Sequence, residues 1–268
     1  MDITDVLLLA VFQGVAEFLP ISSSGHLAVL GRWLGIDPEA NFSLGIVLHA
    51  GTLLAILFFY FRSLLRFVKL QRNRLAGKVI LGSVPAAVAG IFFKDEVERL
   101  SANLWLIGCC FLATAVILTF SDRLNKKRAA MGNPGYCTDD ITWKQALYTG
   151  LAQAAALLPG ISRSGSTIAA GMLAGLNPAG AAEFSFLLAI PAIGGASFLE
   201  FIELYKNGFA EMGNPGLLLL GFSISAVVGY FALALLLKVL KKGRLIVFSV
   251  YLCLAAAVVL LKQLCGAA

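Results

Sequence analysis

The chain has 268 residues, 59% of them hydrophobic and 13% charged, with a formal net charge of +6 at pH 7, and its mean hydropathy is +0.86. That leaves too little polar surface to cover a soluble globule of this size, so a water-soluble domain is excluded and an integral membrane protein is expected. The pI near 9.1 follows from basic loops between apolar stretches and gives no reason to expect a nucleic-acid partner.

In chain order, the opening residues Met1 to Asp5 lack a basic stretch, which argues against a cleaved signal peptide. The first apolar block, 4–36, is broken by Pro20 and followed at once by Ser22, Ser23 and Ser24. It reads as a re-entrant pair of short helices, the alternative being a full helix kinked by proline. Spans of about 20 apolar residues are then expected at 42–61, 79–93 and 104–120. A basic loop over 121–145 leads to a second broken block, 144–176, interrupted by Pro159-Gly160 and read in the same way. Three more spans are expected at 183–205, 216–237 and 245–262.

The two broken blocks repeat one another. At an offset of 140 residues Ile21, Ser22, Ser24 and Gly25 match Ile161, Ser162, Ser164 and Gly165, and Gln13 matches Gln153. Further on, Leu81 and Gly82 match Leu220 and Gly221 at an offset of 139. The chain therefore reads as a single all-α membrane domain over 1–268, built of two repeats, about 1–125 and about 140–268. Each repeat has one re-entrant pair and three spans, giving about six transmembrane helices in all.

Arg62, Arg66, Lys69, Arg72, Arg74 and Lys78 fall in one loop, Arg123, Lys126, Lys127, Arg128 and Lys144 in the 121–145 loop, and Lys238, Lys241, Lys242 and Arg244 in a third. These loops are expected in the cytoplasm. The opposite ends hold Asp2, Asp5, Asp95, Glu96, Glu98, Glu200, Glu203 and Glu211, against Lys94, Arg99 and Lys206. With three spans per repeat, the second copy starts on the other side from the first, so the repeats are expected to be inverted and both termini to lie outside. The hydroxyl-rich tips would then converge near the midplane. Cys109, Cys110, Cys137, Cys253 and Cys265 have no metal-site spacing and read as small packing residues.

Charge inside membrane-embedded segments is costly and usually functional. Here it comprises Glu17, Arg163 and Glu183, with His26 as a titratable neighbour. Gln13 and Glu17, four apart, share a helix face and offer two oxygen-bearing side chains to a hard divalent cation. The serines stand where new helices begin, so their hydroxyls and the free N–H groups suit an anion. Ser22, Ser24, Gly25, Ser162, Ser164 and Thr167 are assigned to phosphate, and Arg163 adds a planar fork suited to it. Cation, helix N-terminus, arginine and hydroxyl are the working parts of phosphoryl transfer. Glu183 reads as a brace and His49 as structural. The rival class is a transporter, because inverted repeats with broken helices are a common transporter plan.

The run QGVAEFLPISSSGH resembles the glutamate-rich signature of undecaprenyl-diphosphate phosphatases, the bacitracin-resistance family, and PGISRSGST resembles their second signature; LHAGTLLA and EFSFLLAIP are also similar. The likeness covers essentially the whole chain. It implies a bacterial inner-membrane enzyme that hydrolyses the C55 isoprenoid diphosphate to its monophosphate, renewing the carrier for cell-wall synthesis. It further implies a divalent cation, Mg²⁺ or Ca²⁺, and an active site open to the periplasm. Carried over by residue, it makes Glu17 the acidic metal-associated or catalytic residue, Ser23 the nucleophile, His26 the proton-transfer group and Arg163 the phosphate clamp. Gln13 stands where many members have a glutamate. Two mechanisms stay open: attack by Ser23, relieved of its proton by His26 or Glu17, through a phosphoserine, or direct attack by Glu17 or a metal-bound water with Ser23 orienting the phosphate. The same scaffold would also suit a polyprenyl-phosphate flippase. The apolar face of the spans suits membrane lipid and a second copy of the chain equally, so a homodimer is a further expectation.

Overall fold

A computed structural model describes residues 2–69, 71–207 and 214–266, without the side chains at 38, 39, 42, 68, 200, 201 and 203–207. Glu211, and the side chains of Glu200, Glu203 and Lys206, which were assigned to outward-facing loops, therefore lie outside the described residues. Among the described residues the chain is helical, with no β-strand. In order, the helices are α1 (Ile3–Phe18), α2 (Ser23–Trp33), α3 (Pro38–Phe59), α4 (Phe61–Val68), α5 (Asn73–Phe92), α6 (Lys94–Ser101), α7 (Leu104–Ala130), α8 (Trp143–Ala155), α9 (Arg163–Leu173), α10 (Pro178–Asn207), α11 (Pro215–Lys241) and α12 (Ile246–Leu264).

Five stretches are each long and apolar enough to cross a membrane: α5, α7, Pro178–Leu199 of α10, α11 and α12. A sixth passes together with its neighbour, Ser43–Phe59 of α3 with Phe61–Phe67 of α4, bent by 74°. The molecule is thus an all-α integral membrane protein. Exposed Ile80, Ile91, Val116, Phe231 and Leu254 cover faces of these helices that only lipid would tolerate in such number.

The two broken blocks are helix pairs, each too short to span alone. At 1.5 Å per residue, α1 is about 24 Å long and α2 and α9 about 16 Å, against about 30 Å of hydrocarbon. Side-chain neighbours fix their directions. Gly221 of α11 lies against Val6 of α1, and a Cβ on Gly14 would meet Val228 and Ser225, so α1 runs alongside α11 in the same sense. His26 contacts Tyr251 and Lys262 lies over Trp33, so α2 runs with α12. On the other side, Gly77 faces Trp143 and Gly82 faces Ala146, so α8 runs with α5. Arg128 of α7 donates to Met172 O and Leu176 O, while Thr114 meets Ser162, so α9 runs with α7. Each half thus supplies the partner for the other half's broken pair. Small residues make these crossings close: a Cβ on Gly150 would collide with Gly82 backbone, and one on Gly51 with Ser225. Without a hydrophobic drive between helices in lipid, such close backbone approach is the main source of adhesion.

Three differences from the sequence reading have local causes. Helix α7 continues to Ala130, through a segment read as loop, because Asp122 and Lys126 pair one turn apart at 2.7 Å and Arg128 is anchored on α9. The basic loop 62–78 contains α4, an amphipathic helix that turns away at Tyr60. Of the five cysteines, which are all free, only Cys110 is buried; the other four do not pack the interior.

Glu183 is a brace. Buried Arg72 donates through Nη1 to Glu183 Oε1 at 2.8 Å and to Ser63 Oγ at 2.6 Å, and through Nε to Asp139 at 2.7 Å, while Thr138 Oγ1 donates to Glu183 Oε2 at 2.7 Å. Burial opposes the Arg72 charge, but its hydrogen bonds to Glu183 and Asp139 outweigh that and hold the guanidinium above its ordinary range. The network ties the α4–α5 turn to α10 and to the segment joining the halves.

Candidate active site

Pro20 has no N–H to continue α1, and the chain must reverse before α2. Ser22 makes the reversal at φ +69, the one non-glycine residue with positive φ among those described, and its Oγ caps α2 by accepting from Gly25 N at 3.4 Å. The second copy has one more residue, Gly160, and it is Gly160 that takes the left-handed conformation, at φ +93. Ser162 is thereby released to an ordinary extended cap, φ −73, with a shorter bond from Gly165 N at 3.0 Å. The inserted glycine absorbs a strain that costs a serine about 1–3 kcal/mol. Gly160→Ala should restore that strain and press a Cβ to 2.7 Å from both Cys110 Cβ and Ile107 O. The expected loss is about 2–4 kcal/mol, seen as a lowered melting temperature of the purified protein against wild type.

The two reversals touch. Ser164 Oγ donates to Leu19 O at 3.1 Å, across 145 residues of sequence. A Cβ on Gly25 would lie 2.9 Å from Gly160 Cα, and one on Gly165 3.3 Å from Pro20 Cβ. Two helix N-termini therefore meet at one place, and Ser23 and Arg163, which occupy the same repeat position, are the first residues of their helices. The N–H groups of a first turn have no partner inside the helix and carry its positive dipole end. Between them is a small cleft lined by Ala16, Glu17, Ser22, Ser23, Ser24, Ala156, Ile161, Ser162, Arg163 and Ser164.

Glu17 organises this cleft. Its Oε2 accepts from Ser23 Oγ at 2.7 Å and from Gln13 Nε2 at 3.0 Å, and its Oε1 from Arg163 Nη2 at 2.5 Å. Arg163 spends one arm of its fork on this ion pair, and its Nη1 is buried with no hydrogen-bond partner among the described residues. An unpaired buried guanidinium nitrogen is costly, and beside two helix N-termini it is a donor held ready for an anion.

The other expected residues are placed less directly. Ser24 is exposed to the cleft, whereas Ser22 and Ser162 spend their hydroxyls on caps and Ser164 on Leu19 O. Thr167 Oγ1 is tied to Arg163 O at 2.8 Å and to Ser185 Oγ at 2.5 Å, behind the cleft, and Gly25 serves close packing on Phe111 and Gly160. His26 stands apart from Ser23: its Nδ1 donates to Ser22 O at 2.8 Å and its Nε2 lies 2.8 Å from the Tyr251 hydroxyl, with Phe111 against the ring.

His49, read as structural from sequence, is brought to the site instead. Its Nε2 lies 3.6 Å from Glu17 Oε2, and its Nδ1 donates to Gly45 O at 2.7 Å. Nothing in its spacing announced this, since it arrives from α3; the segment LHAGTLLA was the one signal.

Among the described residues no group of three or more His, Cys, Asp or Glu side chains is arranged to hold a metal. Two oxygen donors nevertheless fit a hard divalent cation: the Glu17 carboxylate and Gln13 Oε1, which is buried with no hydrogen-bond partner. Phosphate oxygens and water would complete such a site.

The family described as bacitracin resistance protein BacA matches residues 6–258. The chain is 37% identical over 273 residues to an undecaprenyl-diphosphatase of Bacteroides thetaiotaomicron, covering 98% of this chain and all of the relative. It is 39% identical over 263 residues to undecaprenyl-diphosphatase 3 of Bacillus cereus, covering 98% of each, and 40% identical over 251 residues to undecaprenyl-diphosphatase 4 of that species, covering 94% of this chain and 93% of the relative. With nearly its full length matched and its two signature turns joined in one cleft, this chain belongs to the BacA bacitracin-resistance family.

Proposed function

We propose that this protein is an undecaprenyl-diphosphate phosphatase, hydrolysing undecaprenyl diphosphate to the monophosphate and inorganic phosphate, and that it thereby recycles the cell-wall lipid carrier and confers bacitracin resistance. The observation that carries the mechanism is the 2.7 Å bond from Ser23 Oγ to Glu17 Oε2 beside the unpartnered Nη1 of Arg163. Glu17 takes the Ser23 proton as Ser23 Oγ bonds to the terminal phosphorus; the bond from that phosphorus to the bridging oxygen breaks and the monophosphate leaves. Water then attacks the phosphoserine phosphorus and loses one proton to solvent, the Ser23 Oγ–P bond breaks, and Oγ recovers its proton from Glu17, giving phosphate and regenerating Ser23 and the Glu17 carboxylate. Arg163 and the N–H groups of α2 and α9 hold the phosphoryl oxygens through both steps. Glu17 and Gln13 would hold the divalent cation, which when bound offsets diphosphate charge. In this scheme His26 orients α2 against α12 and does not shuttle the proton. The polyprenyl tail lies along an apolar groove open to lipid.

The halves are taken as inverted repeats, a reading supported by the way α1 and α2 run with α11 and α12 while α8 and α9 run with α5 and α7. Orientation follows the basic loops, with Arg62, Arg66, Lys126 and Lys241 toward the cytoplasm of the bacterial inner membrane, both termini outside and the cleft reached from the periplasm. Nothing in the cleft favours a flippase over hydrolysis: a transporter has no need of a hydroxyl bonded to a carboxylate at its phosphate site. The reading is tested by incubating purified protein with undecaprenyl diphosphate. Monophosphate and phosphate should appear in equal amounts, and chelator should stop the reaction until Mg²⁺ or Ca²⁺ is restored. Movement of lipid without phosphate release would favour transport.

A further inference from the structure

His49 adds a feature that an all-oxygen cation site does not explain. Its Nδ1 is committed as donor to Gly45 O at 2.7 Å, so the neutral ring presents the Nε2 lone pair. That lone pair faces Glu17 Oε2 at 3.6 Å. With the ring neutral these two acceptors repel, and either a proton on Nε2 or a metal cation placed between them reverses the sign. Nearby, Gln13 Oε1 is a third buried acceptor with no hydrogen-bond partner among the described residues.

We propose that His49 Nε2 is a ligand of the divalent cation assigned above to Glu17 and Gln13, making the site mixed nitrogen and oxygen. This rests on the metal reading given under the proposed function. Two ligands each about 2.0–2.2 Å from one ion and about 90–120° apart lie roughly 2.8–3.8 Å from one another, and the His49–Glu17 separation of 3.6 Å falls in that interval. A backbone carbonyl on the far ring nitrogen is also the usual support of a metal-binding imidazole, since it fixes the tautomer and aims the lone pair. The position is rigid: Ser225 Oγ of α11 donates to Leu48 O at 3.1 Å, and the close crossing at Gly51 allows little sliding of α3. His26 is no substitute, because both its ring nitrogens are already engaged.

The substitution at position 13 then acquires a meaning. A glutamine there removes one anionic ligand, and a nitrogen ligand from α3 makes up the donor count without restoring the charge. Such a set favours Mn²⁺, Co²⁺ or Zn²⁺ over Ca²⁺, which prefers oxygen alone.

Titration of the purified full-length protein with Mn²⁺, followed by electron paramagnetic resonance, tests this without reference to turnover. Wild type and His26→Asn should bind one Mn²⁺ that shows imidazole nitrogen modulation in the spin echo. His49→Asn and His49→Gln should lose the modulation and bind about 10- to 100-fold more weakly, with the preference for Mn²⁺ over Ca²⁺ reduced; their melting temperatures, compared with wild type, identify any loss of fold. Mn²⁺ bound without nitrogen modulation in wild type, or bound unchanged by a folded His49 variant, overturns the His49 ligand and leaves the Glu17–Gln13 cation standing. Absence of any Mn²⁺ binding by folded wild type overturns both.

Discussion

Ser23→Ala is expected to lower kcat for phosphate release from undecaprenyl diphosphate by at least ~10⁴-fold, with little change in KM. Ser23 begins α2, and its hydroxyl is the one placed against Glu17 Oε2, at 2.7 Å, with its proton already directed to that carboxylate. Removing an attacking nucleophile removes the pathway, whereas removing a group that only orients phosphate removes one hydrogen bond, about 1–2 kcal/mol or roughly 10-fold. The size of the effect therefore separates the two mechanisms left open by the sequence. Acid quenching with substrate labelled in the terminal phosphate should trap a phosphoserine in wild type and none in Ser23→Ala. A variant that keeps a tenth of wild-type kcat would assign the attack to water.

Arg163→Ala should cost about 10²–10³-fold in kcat/KM, through two separate losses. The first is the donor aimed at phosphate, Nη1, with the transition-state charge it would hold. The second is the counter-charge of Glu17: the pair is buried, with Nη2 on Oε1 at 2.5 Å, and truncating one partner leaves a buried carboxylate without its counter-charge. Arg163→Lys replaces the charge without the fork and should recover less than about a tenth of the lost activity. Steady-state phosphate release from both variants, with their melting temperatures, checks this. Full recovery by lysine would show that charge alone matters at that position.

The broken helices were legible because Pro20 and Pro159-Gly160 are each followed at once by hydroxyl-rich turn residues, whereas Pro85 and Pro191, without such residues, sit inside continuous helices; the spans were legible from their length and hydropathy. Glu17, Ser23 and Arg163 could be selected from the duplicated phrase, although that phrase alone does not bring the two turns together; Ser164 on Leu19 O and Gly25 against Gly160 do that, across more than 130 residues. What the sequence could not show depends on which helices become neighbours. His49 reads as an ordinary residue of an apolar helix until α3 is laid beside α1. The partner of His26 Nε2 is Tyr251, 225 residues away, which no local pattern around His26 announces. The serines look equivalent on paper, and the structure divides them into caps, a stitch and two that face the cleft. Helix α7 outran its expected end because a charged segment with good helix formers, Asp122 to Ala130, has the same local signature as a polar loop.

The most direct test of the site is phosphate release from undecaprenyl diphosphate by purified wild type beside Glu17→Ala. Wild type should release one phosphate per lipid, and the folded variant should fall to background, because Glu17 meets Ser23, Gln13 and Arg163 at once. Release by Glu17→Ala at the wild-type rate, or no release by folded wild type, would contradict the account.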